Sequence, residues 1–196
     1  RVERGAGGEE VLVIPVQKPK PTKLEQCWEP GPAANSKFTE EEMEQITAGS
    51  VAKQLQDQVD KVLPGWKLSK CGPDMDPGLR AEYLGKKNVF MTHPLNRQTG
   101  CVLSKKVELP AGKETALKIV VANDTRGDFT LEVKADGKSL LEKKVGDEER
   151  NGAEWTEMEV SLSDLAGKSV ELELINHADD WRFEAAYWAQ IALESK

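Results

Sequence analysis

Between Val102 and Leu193, apolar and polar residues alternate with a period of two, in short runs separated by turn residues. This constrains the fold more than any other feature of the chain, because a period of two puts every second side chain on one face of a pleated strand. Val102, Val107 and Leu109 mark one strand, and Leu117, Ile119 and Val121 alternate in the next. Phe129 to Val133 and Ser139 to Val145 flank Ala135-Asp136-Gly137-Lys138, whose Asp-Gly pair supplies the positive φ angles of a tight hairpin. Trp155, Met158, Val160 and Leu162 follow, then a turn around Ser163 to Lys168. Val170, Leu172 and Leu174 alternate with Glu171 and Glu173, and Tyr187 to Leu193 supplies the seventh strand. Short strands joined by turns, with no helices between them, predict a mainly β fold: an antiparallel β-sandwich over 66–196.

Upstream the pattern changes twice. Residues 1–38 read as a Pro-rich linker with one β-prone run, Val11 to Val16, which Pro15 confines to an edge strand. Lys18-Pro19-Lys20-Pro21 and Glu29-Pro30-Gly31-Pro32 favour extended, polyproline-like chain. Residues 39–65 read as a helical segment. Thr39 with Glu42 fits a capping box, and Glu40 to Glu42 suit the positive end of a helix dipole. Met43 and Ile46 share one face, whereas Val51, Leu55, Val59 and Val62 lie on a face turned by roughly 120°. The shift at Ala48-Gly49-Ser50 implies two short helices or one bent helix, ended by Leu63-Pro64-Gly65. The apolar stripe is narrow, which suits docking on the following domain or a protein contact through 39–63. The chain starts at Arg1 without a basic-then-apolar leader, as expected of a mature product or a piece of something longer.

Charge narrows the partners. Lys plus Arg total 27 against 34 Asp plus Glu in 196 residues, a net −7 that disfavours a grip on phosphate backbones. Nucleic acid is excluded as an expected partner. So is a membrane span, since no run approaches the roughly 20 apolar residues that a membrane helix needs. The three cysteines form no CxxC pair and no haem-attachment motif.

If consecutive strands run antiparallel, their connections alternate between the two ends of the sandwich. The turns at Pro110 to Lys113, Asp136-Gly137 and Ser163 to Lys168 fall at one end and are built from turn residues. The segments His93 to Gly100, Asn123 to Asp128, Gly146 to Ala153 and Asn176 to Phe183 fall at the other. They carry His93, Asn96, Arg97, Asn123, Asp124, Arg126, Asp128, His177, Asp179, Asp180, Trp181 and Arg182. Polar loops around one aromatic, on a rigid sandwich, mark this end as the expected binding end.

The stretch from Trp155 through Ser163-Asp164-Leu165-Ala166-Gly167-Lys168 to Asn176, followed by Ala186-Tyr187-Trp188 and Ile191-Ala192-Leu193, resembles the closing half of galactose-binding-like jelly-roll domains. It is similar to the carbohydrate-binding-module type appended to exported bacterial proteins, over about Trp66 to Lys196. The resemblance implies a non-catalytic module that binds glycan or a protein surface in a periplasmic or extracellular setting. It also implies a structural Ca2+ held by loop oxygens, for which Asp124 and Asp128 are the candidate ligands.

Trp155 and Trp188 alternate with polar residues and are expected in the core. Trp181 sits in a polar loop, where an indole either stacks on the apolar face of a sugar or plugs the end of the core. Around it His177, Asp179, Asp180, Arg182, Asn123, Arg126, His93 and Arg97 are the candidate carbohydrate-binding residues. Asp74-Met75-Asp76-Pro77-Gly78 reads as an Asx turn, with a cation loop as the alternative. In an exported protein Cys71 and Cys101 are the candidate disulfide, closing a loop of about 30 residues and leaving Cys27 free; three reduced thiols are the alternative. No nucleophile motif or assignable carboxylate pair points to catalysis. The expected function is glycan binding at the Trp181 end; the alternative is a structural or assembly domain acting through the N-terminal helix and tether, without a sugar site.

Overall fold

The structure, a computed structural model, describes residues 2–4, 10–12, 39–146, 152–181 and 183–196. Val13 to Val16, the Pro-rich stretch with Cys27, Asp147-Glu148-Glu149 and Arg182 lie outside the described residues. The chain divides into two units, 1–37 and 38–196. In the first, β1 (Val2–Arg4) pairs antiparallel with β2 (Glu10–Leu12), Val2 opposite Leu12.

The second unit opens with α1 (Glu40–Val62). The capping box is made: the Thr39 amide donates to Glu42 Oε2 (2.7 Å) and the Glu42 amide to Thr39 Oγ1 (3.2 Å). The helix runs unbroken through Gly49 and Ser50, and Gly49 lies in open space. At its end the Leu63 amide donates to Val59 O (2.7 Å), and Gly65 at φ +81° reverses the chain.

Ten strands follow: β3 (Lys67–Ser69), β4 (Gly78–Tyr83), β5 (Lys86–Thr92), β6 (Cys101–Glu108), β7 (Thr115–Asn123), β8 (Phe129–Ala135), β9 (Lys138–Val145), β10 (Trp155–Ser161), β11 (Ser169–His177) and β12 (Ala186–Ser195). They form two five-stranded antiparallel sheets, ordered β10-β7-β12-β5-β4 and β3-β6-β11-β8-β9. This is a jelly-roll β-sandwich. Alternation along β7, β8 and β11 sends Leu117, Ile119, Val121, Leu131, Val133, Leu172 and Leu174 into one buried cluster with Phe90, Phe129 and Trp188. Each such side chain contributes about 1.5–3 kcal/mol by leaving water. Trp188 satisfies its indole N–H on Thr92 Oγ1 (2.9 Å).

The period-two pattern identifies β6 to β12 but not β3, β4 or β5. Val89 to Thr92 are buried in succession, so β5 has no alternation to read. The reason is a second apolar cluster on the outer face of the first sheet, where Val89, Met91, Ala122, Ala185 and Tyr187 pack with Tyr83 and Trp155. Trp155 therefore departs from the expected place in the main core. It lies opposite Ala122, in the outward parity of β10, and meets Tyr83 edge-on at 6.2 Å. Its indole N–H donates to Leu84 O (3.0 Å).

The helix docks on this sandwich. Leu55, Val59 and Leu63 join the main core, whereas Met43 and Ile46 stay exposed. Two glutamines complete the docking. Gln56 donates to Trp66 O (2.8 Å) and accepts from the Leu68 amide (3.0 Å), while Gln58 Oε1 accepts from the Leu79 amide (2.8 Å). Since β3 and β4 are edge strands of different sheets, α1 caps one open edge of each.

The candidate disulfide pair stands in the structure as two adjacent thiols. Cys71 and Cys101 are both free and buried. The Cys71 thiol is already engaged, donating to His93 O (3.4 Å), and the Cys101 thiol is pushed up by burial first and by the adjacent Cys71 second.

Candidate functional site

Strand registers bring the long loops to one end. Asn176 lies opposite Cys101, His177 opposite Thr130, and Ala186 opposite both Asn123 and Thr92. The connections 93–100, 124–128 and 178–185 therefore leave the sandwich side by side. Between them and the segment before β4 lies an open pocket of about 320 Å³ lined by Asp74, Met75, His93, Trp181 and Phe183.

The walls are built from strained backbone. Met75, Asp76, Trp181 and Phe183 have φ of +60°, +56°, +77° and +59°. For side chains of this size the left-handed region costs on the order of 1 kcal/mol or more per residue, and such strain gathers where a structure holds side chains for a task. The first pair sits in a turn closed by the Asp76 amide on Pro73 O (3.3 Å). Arg80 brackets that turn by donating to Met75 O and Asp76 O. Of the second pair, Trp181 is held by Glu184, whose buried carboxylate accepts the amides of Asp179 (3.0 Å), Asp180 (3.1 Å) and Trp181 (2.9 Å).

Trp181 is half-buried and meets the His93 ring edge-on, with centroids 5.1 Å apart. His93 is only 4% exposed; its Nδ1 lies 3.0 Å from Pro94 O, so the neutral ring donates there and keeps Nε2 as an acceptor. Burial holds its pKa below the usual imidazole value, against weaker upward pulls from Pro94 O and Asp74. Phe183 is 40% exposed, and the Arg126 guanidinium sits 3.9 Å above its ring. Arg126 is in turn clasped by Asp124 through Nε (2.8 Å) and a terminal nitrogen (3.1 Å).

The structure thus gathers His93 and Trp181 in the pocket and Arg126 at its rim through Phe183. The other candidates have different places. Asn123 is 1% exposed and acts as a loop keystone, its amide donating to Asp124 O, Gly127 O and Gly152 O. It has no surface for a ligand. His177 and Asp179 belong to a neighbouring charged cluster. There His177 Nε2 meets Glu132 (3.0 Å), Thr130 donates to Asp179 (2.6 Å), and Lys144 pairs with both Asp128 (2.8 Å) and Asp179 (3.4 Å). Asp180 enters the arrangement through its amide on Glu184. Arg97 is exposed in a turn whose Asn96 reaches Glu44 on α1 (2.7 Å), and it does not line the pocket. Phe183 and Glu184 carried no assigned role in the sequence, although an aromatic two residues after Trp181 was a legible signal for Phe183. Asp74 and Met75 lie in the segment expected as an Asx turn, with a cation loop as the alternative, and the structure places both in the pocket wall.

Asp124 and Asp128 do not fit a calcium ion. Each carboxylate has a cationic partner, Arg126 for Asp124 and Lys144 for Asp128. Asp128 is fully buried with Lys144 as its counter-ion, although neither of its oxygens accepts a well-directed hydrogen bond. Among the described residues no three metal-ligating side chains converge.

No family model matches the chain, and no curated protein matches it. Solved structures do. The K3 adhesin domain of Lys-gingipain from Porphyromonas gingivalis W83 is 14% identical over 69% of this chain and 95% of its own, with a TM-score of 0.49. The CBM22-1 xylan-binding domain from Paenibacillus barcinonensis is 14% identical over 68% and 87%, at 0.47. A Stig cyclase from Fischerella sp. TAU is 14% identical over 67% and 74%, at 0.43.

Proposed function

We propose that this chain is a non-catalytic carbohydrate-binding module whose site is the Trp181 pocket. The observation that carries the reading is the convergence of three non-glycine residues with positive φ, Met75, Trp181 and Phe183, on one pocket walled by an indole and a phenyl ring. Flat aromatic walls match the apolar faces of pyranose rings, and Asp74 and His93 Nε2 are acceptors for hydroxyls. Hydrolysis of a glycosidic bond needs two facing carboxyl groups. Among the described residues lining the pocket Asp74 is the one carboxylate. An exported setting belongs to the same reading, because structural polysaccharides lie outside the cell.

The assembly-domain alternative is weakened by α1 itself. Its main apolar face is packed into its own sandwich, leaving Met43 and Ile46 as its exposed large apolar residues.

Affinity electrophoresis in gels carrying xylan, galactomannan, hydroxyethylcellulose or pectin tests the reading. The wild type is expected to be retarded by at least one polymer. Trp181→Ala is expected to lose at least about 2 kcal/mol, roughly thirtyfold in affinity, as for the central aromatic of a binding patch. Retardation that survives the substitution removes the pocket from the reading, and no retardation in any gel removes the reading itself.

A further inference from the structure

Glu184 is a fully buried carboxylate in a loop whose Asp179 and Phe183 are exposed and whose Trp181 is half-buried. A buried carboxylate is unfavourable unless its oxygens are well supplied with donors. Here three consecutive amides supply them: Asp179 on Oε2, and Asp180 and Trp181 on Oε1. Successive amides pointing at one anion form the concavity that oriented backbone dipoles stabilise. The main chain of Glu184 is fixed as well, since its carbonyl accepts the Asn176 amide nitrogen (3.1 Å) from the buried end of β11.

The arrangement ties a rigid strand to a strained loop. Trp181 and Phe183 hold left-handed backbone that bulky residues disfavour, and one of the amides bound by Glu184 belongs to Trp181 itself. With that carboxylate removed, three amides lose an acceptor and Trp181 is free to return to ordinary φ, which would swing the indole away from His93.

We infer that Glu184 is a positioning residue of the site: it holds the 179–181 backbone in the conformation that sets the Trp181 indole against His93, and so determines what the pocket can bind. The inference rests on the binding function proposed for the pocket. Glu184 touches no ligand and acts through Trp181.

Two measurements test it. In the wild type, hydrogen exchange of the Asp179, Asp180 and Trp181 amides is expected to be slowed at least a hundredfold relative to unstructured chain; free exchange there overturns the inference without any variant. In Glu184→Gln, which keeps the shape but turns one acceptor into a donor, exchange at those amides should rise at least tenfold while β6, β7 and β11 stay protected. Retardation in the xylan, galactomannan, hydroxyethylcellulose or pectin gel that binds the wild type should fall at least tenfold in parallel. Unchanged exchange, or faster exchange with full retardation, overturns it. If the wild type binds none of these polymers, the proposed function fails, and the exchange data still decide whether Glu184 holds the loop.

Discussion

His93 shows how one buried side chain links site and stability. Desolvation lowers its pKa in the folded state from 6.5, so below that pH the unfolded chain binds a proton that the folded chain refuses. The sign follows: its contribution is whole above pH 6.5 and is lost as pH falls from 6.5 towards the lower folded value, at up to about 1.4 kcal/mol per pH unit. Glu132 titrates in a separate window. Burial pushes its pKa up, but the bonds from His177 and Lys134 outweigh that and leave it below 4.5, so its contribution fades only under more acid conditions. Urea denaturation between pH 5 and 8 should therefore show a decline towards acid that is flattened in His93→Gln; an equal decline in both proteins would refute the assignment. At this scale the sequence was partly legible. Trp181 and His93 stood out as an aromatic and an imidazole in polar loops, and the structure sets them edge to face. Glu184 did not stand out, because one glutamate among 34 acids carries no sign that three amides converge on it. Asn123 looked like a ligand-reading amide for the same reason: its role depends on carbonyls from three other residues.

At the scale of elements, α1 is the clearest case. Its two apolar faces were visible in the spacing, and so was the capping box. Which face would pack was not visible, since that depends on where β3 and β4 leave edges open. The packing makes a prediction. Leu55→Ala should destabilise the domain by about 2–5 kcal/mol, whereas Ile46→Ala should change it by no more than about 0.5 kcal/mol. Denaturant midpoints read both, and equal effects would mean that the helix does not belong to the core. β5 was invisible for a related reason. A strand buried on both faces loses its alternation, and the second face is covered by a cluster in which Tyr83 stacks on Tyr187, ring centroids 3.6 Å apart. Tyr187 is held up to about 12 by burial first and by Asp124 second, so both sides of this cluster stay neutral. The position of Trp155 was available earlier: it is odd-numbered, out of step with Met158 and Val160, and parity alone sends it to the opposite face.

Over the whole molecule, the two aspartates at which resemblance implied an ion are each paired with a cationic side chain. Arg126 and Lys144 neutralise the two aspartates expected to hold calcium. Excess chelator should therefore leave the thermal midpoint unchanged within about 2 °C, well under the shift that losing a ligand bound at a hundred times its Kd would cause. A larger fall would restore the metal. The antiparallel rule also worked at this scale, since alternate connections of an antiparallel sandwich emerge at alternate ends whatever the side chains are. By itself, then, the sequence determined the sandwich, the helix with its cap, and the end at which the long loops gather, because these follow from local periodicity, turn residues and strand direction. Tertiary structure alone decided which loop residues meet, which face of α1 is covered, and which carboxylates face amides, cations or solvent. Those outcomes depend on contacts between residues far apart in the chain, such as Asp74 with His93 and Trp181, and no local pattern encodes them.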